Sequence, residues 1–268
     1  MSLKALLLSG GYGERLSPLT KIWPKCLMPI KGTPLLELWI DKLLELNVND
    51  ILVNVHYLSQ EVIEFLERDR FKNCISWSYE ENLLGTAGTL LANREFFRGS
   101  EILLAHADNF CTADMNEFYK FHKERDNNSL MTMMTFKSKN PEDCGIVLND
   151  KKNILTGFYE KVPDPPSNHA NGAVYLLGLE FLEWLEKQDH VSDFSTEVIP
   201  LLIGKIQLWK NQNYHVDIGT IENLVSVQDL VKQLPKKDYE QKDNWSINFL
   251  DHPIHELLKE HISDAGKA

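Results

Sequence analysis

Long apolar runs are what this chain of 268 residues lacks most clearly, and without them no membrane-spanning helix is expected, since one needs about 20 consecutive apolar residues. Nor does the N-terminus show the basic, apolar and small-residue order of a secretory signal, so a cytoplasmic protein with no membrane partner is expected. Cysteine is scarce. Cys26, Cys74, Cys111 and Cys144 stand far apart with no CxxC pair, which argues against a zinc site or a disulfide framework and suits a reducing compartment. Positive charge is also in deficit: 28 Lys and Arg stand against 39 Asp and Glu, a formal net charge of -11. A surface for nucleic acid needs the opposite balance, so no nucleic-acid partner is expected and any phosphate site must be a local exception. Composition leaves a monomer and a homo-oligomer equally open.

What the chain does have is 43% hydrophobic content, enough for one large core or two small ones. Strand-length apolar runs at 4–8, 51–55, 75–79 and 102–105 alternate with helical spacing, as in Leu35, Leu36, Trp39, Ile40, Leu43 and Leu46, or Val62, Ile63 and Leu66. That alternation predicts an α/β fold, a mainly parallel central sheet with helices layered on both faces. Asp114 with Glu117 reads as a capping box opening a further helix. From about residue 128 the strands at 129–136, 145–148, 154–159 and 173–177 have fewer helices between them, so the sheet should become mixed. Pro163, Pro165 and Pro166 mark an exposed loop. A helix is expected over 222–234, then a charged connection over 235–243. Beyond it Trp245, Phe249, Leu257 and Leu258 suggest a helical tail in search of a surface.

The first apolar run leads into Gly10-Gly11-Tyr12-Gly13, followed by Arg15, Lys21 and Lys25. A P-loop is excluded, because no Lys-Ser or Lys-Thr follows a glycine at the required distance. A dinucleotide fingerprint fails as well: Leu16 stands at the sixth position, and Pro18 and Pro24 break any long helix after it. What remains is a strand ending in glycines whose amides can approach an anion, with Arg15 as a planar donor and Lys25 as a point charge. A tight turn with solvated cations is the bland alternative.

Taken whole, Gly10-Gly11-x-Gly13-x-Arg15-Leu16-x-Pro18-Leu19-Thr20, then Pro24-Lys25-x-Leu27-x-Pro29-Ile30, resembles the signature of the sugar-1-phosphate nucleotidyltransferases. That family includes mannose-1-phosphate guanylyltransferases and glucose-1-phosphate thymidylyltransferases. The likeness continues in order through LGTAG at 84–88, Asp108-Asn109, Glu160-Lys161, Asn171 to Tyr175 and VDIGT at 216–220. It implies a Rossmann-like three-layer α/β/α sandwich, with a catalytic domain over 1–234 and a helical appendage over 235–268.

Several roles follow from the resemblance alone. Leu8, Gly10, Gly11, Gly13, Arg15, Lys25, Glu80, Gly85, Thr86 and Gly88 would bind the nucleoside triphosphate, with the nucleobase at the LGTAG turn and at Glu80 or Glu81. Gly145, Glu160, Lys161 and Asn171 would bind the sugar phosphate. Asp108 and Asp217 would hold Mg2+, the one cofactor expected, although by themselves they read as turn or cap residues. Asp217 sits in an apolar-bounded stretch and reads as buried. The implied reaction is attack of a sugar-1-phosphate oxygen on the α-phosphorus of an NTP, with Arg15, Lys25 and Lys161 as the catalytic cations. The LGTAG form leans toward guanylyl transfer. Two rivals stay open: a cytidylyltransferase for a non-sugar phosphate such as phosphocholine, with Trp23, Tyr175 or Trp209 around the cation, and a non-catalytic regulatory relative. Departures from the family pattern fall at Glu14, Cys26, Ala107 and Asn171-Gly172-Ala173. Glu14 should be unhelpful beside the phosphate loop unless it points away or pairs with Lys21.

Overall fold

The computed structural model describes residues 2–232 and 243–265. The chain divides into two compact units, each assembled from separate stretches of sequence. One takes the chain up to Leu7 with Asn82–His106 and Thr112–His215; the other takes Leu8–Glu81, Ala107–Cys111 and the chain from Val216 onward.

In the first unit the strands run in the order Leu155–Glu160, Gly145–Asn149, His169–Leu177, Glu101–His106 and Leu3–Leu8, the last residue of which already belongs to the second unit. Met131–Lys137 pairs antiparallel with His169–Leu177, and Ile206–Lys210 lies parallel to Met131–Lys137. Met131, Met133 and Met134 are buried, so the methionine-rich strand is packing, as its alternation suggests. Asp114 caps the helix Met115–Lys123, its Oδ1 accepting from the amides of Asn116 at 2.8 Å and Glu117 at 3.1 Å. The strand His169–Leu177 slips register between Asn171 and Tyr175, and Ala173 within that bulge has φ 51°.

In the second unit Ile51–Val55 and Ile75–Tyr79 form a parallel pair. Leu35, Leu36, Trp39, Ile40 and Leu43 are the buried stripe of the helix Leu35–Glu45, which the helical spacing had marked. No long helix follows the glycines. Pro18 and Pro24 instead punctuate three short 3-10 turns, Glu14–Leu16, Leu19–Lys21 and Lys25–Leu27. The helix Ile221–Val231 closes before the expected 234, and the tail is two helices, Asn244–Leu250 and Ile254–Ala265. The expected boundary at 234/235 and most of the charged connection lie outside the described residues. The strands Asn109–Cys111 and Ile206–Lys210 and the helix Phe181–Leu185 carried no periodic signal and were not expected.

A buried charge cluster ties the first unit together. Glu101 accepts from Tyr119 Oη at 3.0 Å and Lys123 Nζ at 2.9 Å, while His122 Nε2 lies 3.5 Å from its other oxygen. Burial opposes the charge on Glu101, yet His122, Lys123 and Tyr119 draw its carboxyl down to about 2. Burial holds His122 below its ordinary value against the pull of Glu101, with Arg125 and Lys123 acting in the same direction as burial. Both shifts make acid destabilising. As pH falls below 6.5 the unfolded chain takes up the His122 proton first, and below 4.5 it takes up the Glu101 proton first. Each pH unit over which only the unfolded chain is protonated at one such group costs about 1.4 kcal/mol. His122→Gln is therefore expected to flatten the fall of the urea midpoint between about pH 7 and pH 5; an unchanged slope would remove His122 from the acid response.

Candidate active site

Four of the predicted charges meet within the second unit. Lys25 Nζ stands 2.8 Å from Asp108 Oδ2 and 2.8 Å from Asp217 Oδ1, and Arg15 Nη2 is 3.4 Å from Asp217 Oδ2. Burial opposes the charge on Lys25, but Asp108 and Asp217 outweigh it and hold the ammonium above its ordinary value. The backbone fixes this geometry from several sides. The Ala107 amide donates to the Leu8 carbonyl at 3.0 Å, the Ile218 amide to the Asp108 carbonyl at 3.4 Å, and Asn223 Nδ2 to the Asp217 carbonyl at 2.9 Å. Gly13 adopts φ 66°, and a Cβ there would lie 2.8 Å from Thr20 Cγ2 and 3.2 Å from Lys25 Cβ. Glycine is therefore required at 13 by backbone conformation and by the passage of the Lys25 side chain.

Asp217 is not buried as its apolar neighbours suggested: its side chain is 47% exposed, while Ile218 turns into the core. Glu14 is exposed and forms no ion pair among the described residues, with Lys21 or otherwise. Cys26 is buried beside Lys25. Burial first, then Asp108, pushes its thiol up to about 12, so it is inert packing.

Glu80, also in this unit, is buried and accepts from Asn54 Nδ2 at 3.1 Å; Asn54 Oδ1 in turn accepts the Ser9 amide at 2.7 Å. His56 Nδ1 donates to the Glu80 carbonyl at 2.8 Å, and its Nε2 is hydrogen-bonded to Tyr12 Oη at 2.9 Å. This chain from Ser9 through Asn54 to Glu80 and His56 was missed in the sequence. Its signal was there: Asn54 is the one polar residue in the run Ile51–Val55.

The second set of predicted residues lies in the first unit. Glu160 is directly opposite Gly145 in the antiparallel pair, and a Cβ at 145 would come within 2.6 Å of Glu160 Oε2. Any side chain there would displace the carboxylate. Burial raises the Glu160 carboxyl, Lys161 opposes the rise, and Asp193 adds to it. Lys161, at φ 49°, donates its amide to the Cys144 carbonyl and keeps its ammonium largely exposed, 3.7 Å from Glu160 Oε1. Asn171 Nδ2 donates to Tyr175 Oη at 2.7 Å, and its Oδ1 accepts the Ala173 amide at 2.9 Å. The Asn-Gly-Ala order thus puts the left-handed conformation on alanine. Gly172 meanwhile packs where a Cβ would lie 3.0 Å from the Met134 carbonyl.

In the LGTAG turn, Thr86 opens the helix Thr86–Ala92, and the amides of Ala87 and Gly88 both donate to the Ser192 carbonyl, at 2.8 and 3.2 Å. Those two amides are spent within the protein, and Thr86 Oγ1 accepts from the Phe194 amide at 2.7 Å. Ser192 and Asp193, the partners of this turn, lie in a polar loop without periodicity and were not singled out. The aromatic candidates for a choline cage are all engaged elsewhere: Trp23 against Phe249, Tyr175 against Phe194, Trp209 against Phe118.

Two carboxylates converging on one cationic point supply few, hard oxygen donors, a set that fits Mg2+ completed by water and substrate phosphates. No cluster of three or more His, Cys, Asp or Glu suited to a metal occurs among the described residues.

The family model described as "Nucleotidyl transferase" matches residues 4–233. A mannose-1-phosphate guanyltransferase of Candida albicans is 28% identical over 253 residues, covering 90% of this chain and 69% of that protein. Its counterpart in Saccharomyces cerevisiae is 28% identical over 248 residues, covering 88% and 68%. Among solved structures, a Bacillus anthracis chain assigned as a glucose-1-phosphate thymidylyltransferase superposes with a TM-score of 0.78 at 20% identity, covering 88% of this chain and 98% of that one. The last likeness establishes the Rossmann-like α/β class with a mixed central sheet.

Proposed function

We propose that this chain, which belongs to the nucleotidyl transferase family of sugar-1-phosphate nucleotidyltransferases, makes an NDP-sugar and pyrophosphate by Mg2+-dependent guanylyl transfer to a mannose-type sugar-1-phosphate. The observation that carries the reading is the position of Lys25 Nζ, 2.8 Å from both Asp108 and Asp217, in a chain otherwise dominated by negative charge. The nucleophile, a phosphate oxygen, is already an anion, so the protein's task is to offset repulsion and align two phosphates rather than to remove a proton.

Lys25 would neutralise charge at the α-phosphate, and Arg15, on a largely exposed side chain, would follow the β- and γ-phosphates as they leave. In the first unit Lys161 would seat the phosphate of the sugar while Glu160, given room by the missing side chain of Gly145, and Asn171 would take sugar hydroxyls. Asp108 and Asp217 would hold Mg2+, which supplies charge neutralisation between the two substrates when bound. The buried Glu80 carboxylate suits the donor edge of guanine, which presents an N–H and an amino group together. No helix among the described residues is long and apolar enough to cross a membrane.

The test is pyrophosphate release with each of GTP, CTP, UTP and dTTP against a panel of sugar-1-phosphates and phosphocholine, with Mg2+. GTP with mannose-1-phosphate or a close epimer is expected to turn over fastest. Turnover with phosphocholine alone would overturn the sugar assignment, and NTP binding without turnover of any pair would overturn the enzymatic one.

A further inference from the structure

We infer that the two C-terminal helices, which lie beyond the residues matched by the family model, act as a positioning element for Lys25. The inference rests on the role proposed for Lys25. Lys25 is carried by a segment with little regular structure of its own, a 3-10 turn between Pro24 and Met28, so its placement depends on side-chain anchors. The anchor is Trp23. Its indole is 6% exposed, and Nε1 donates to the Leu27 carbonyl at 2.8 Å, bracketing Lys25 from both sides.

What covers that indole comes from the tail. The Phe249 ring stacks on it at 5.6 Å and 23°, the His252 ring lies at 4.2 Å and Trp245 at 6.3 Å. The tail is itself fastened: Asp243 and Ser246 accept from Arg68 at 2.7 and 2.8 Å, and the Trp245 ring meets Phe65 edge-on at 4.9 Å. The helix Ile254–Ala265 packs against the turn Leu19–Lys21 and against the helix Ile221–Val231. Those two elements flank the segments that carry Lys25 and Asp217. Removing the rings over Trp23 would free the segment to shift, and a misplacement on the scale of 1 Å is enough to cost a catalytic cation much of its effect.

Phe249→Ala with His252→Ala tests this. The readout that a merely stabilising tail would not move is acylation of the Lys25 amine, followed by peptide mass spectrometry and normalised to the exposed Lys161, in protein shown by circular dichroism to be folded. The variant is expected to label several-fold faster at Lys25 and to lose kcat by about tenfold with little change in KM for the sugar phosphate. His252→Phe, which keeps a ring over Trp23, is expected to restore both. Lys25 labelling at the wild-type rate in folded variant protein would overturn the inference. Should the double variant be unfolded at the assay temperature, His252→Ala alone is read by the same criteria. If Lys25→Ala proved fully active, the role of Lys25 would fall while the labelling result still decided whether the tail positions it.

Discussion

Lys25→Ala is expected to lower pyrophosphate release by about 10²–10³-fold, the loss seen when a preorganised charge stabiliser is removed from a site where negative charge must pass. Its geometry makes it hard to replace. Lys25 Nζ is 2.8 Å from two carboxylates that are distant in sequence, with separations of 83 and 192. Without the ammonium, Asp108 and Asp217 each lose the Lys25 ion pair, Arg15 stays 3.4 Å from Asp217, and the added negative charge repels an incoming triphosphate. Lys25→Met, which keeps the stem that passes Gly13 but not the charge, is expected to lose as much activity as Lys25→Ala while unfolding closer to wild type. Because Asp108 and Asp217 are 31% and 47% exposed, the stability loss in either variant should be small beside the kinetic one. Steady-state kinetics with urea unfolding of each variant separates the two effects; turnover near wild type in Lys25→Met would take the charge out of the chemistry.

The largest expected effect on stability belongs to Arg68. Its side chain is 5% exposed and its guanidinium is divided among three acceptors: Glu37, itself 4% exposed, at 2.7 Å, Asp243 at 2.7 Å and Ser246 at 2.8 Å. The same group lies 5.2 Å from the Phe65 and Phe71 rings and 5.0 Å from Trp245. Arg68→Ala leaves the buried Glu37 with Arg70 as its remaining cation and releases Asp243 from its tie. Breaking a buried pair from one side typically costs about 3–5 kcal/mol, because the surviving charge stays in a poorly solvated place. The urea midpoint is expected to fall accordingly, and Arg68→Lys should recover little, since one ammonium cannot serve three acceptors set around a planar fork. An unfolding free energy within about 1 kcal/mol of wild type would mean that the cluster contributes no more than surface pairs do.

Much of the architecture could be read from local pattern. The strands Ile51–Val55 and Ile75–Tyr79 coincide with their apolar runs, and the stripe on Leu35–Glu45 is buried as its spacing required. The glycine, arginine and lysine of the opening loop were visible as a phosphate-binding exception in an acidic chain. What local pattern could not carry was pairing over long distance. Ile206–Lys210 is a strand because Met131–Lys137 offers it a parallel partner, not because its own residues alternate clearly. The Ser192 carbonyl that accepts two of the LGTAG amides lies more than a hundred residues away in sequence, beyond the reach of any local pattern. Asp217 looked buried because apolar residues flank it, yet a strand sends neighbouring side chains to opposite faces, and its own face is open. The tail announced its apolar residues but not their destination.

The interleaving of the two units bears on how the protein is made. The second unit takes Leu8–Glu81 early, returns only for the five residues Ala107–Cys111, and is resumed at Val216. On a ribosome, Lys25 therefore emerges long before Asp217, and the first unit's own residues through His215 must be synthesised in between. The cation and its two carboxylates cannot come together on the nascent chain until Asp217 has been translated, 192 residues after Lys25.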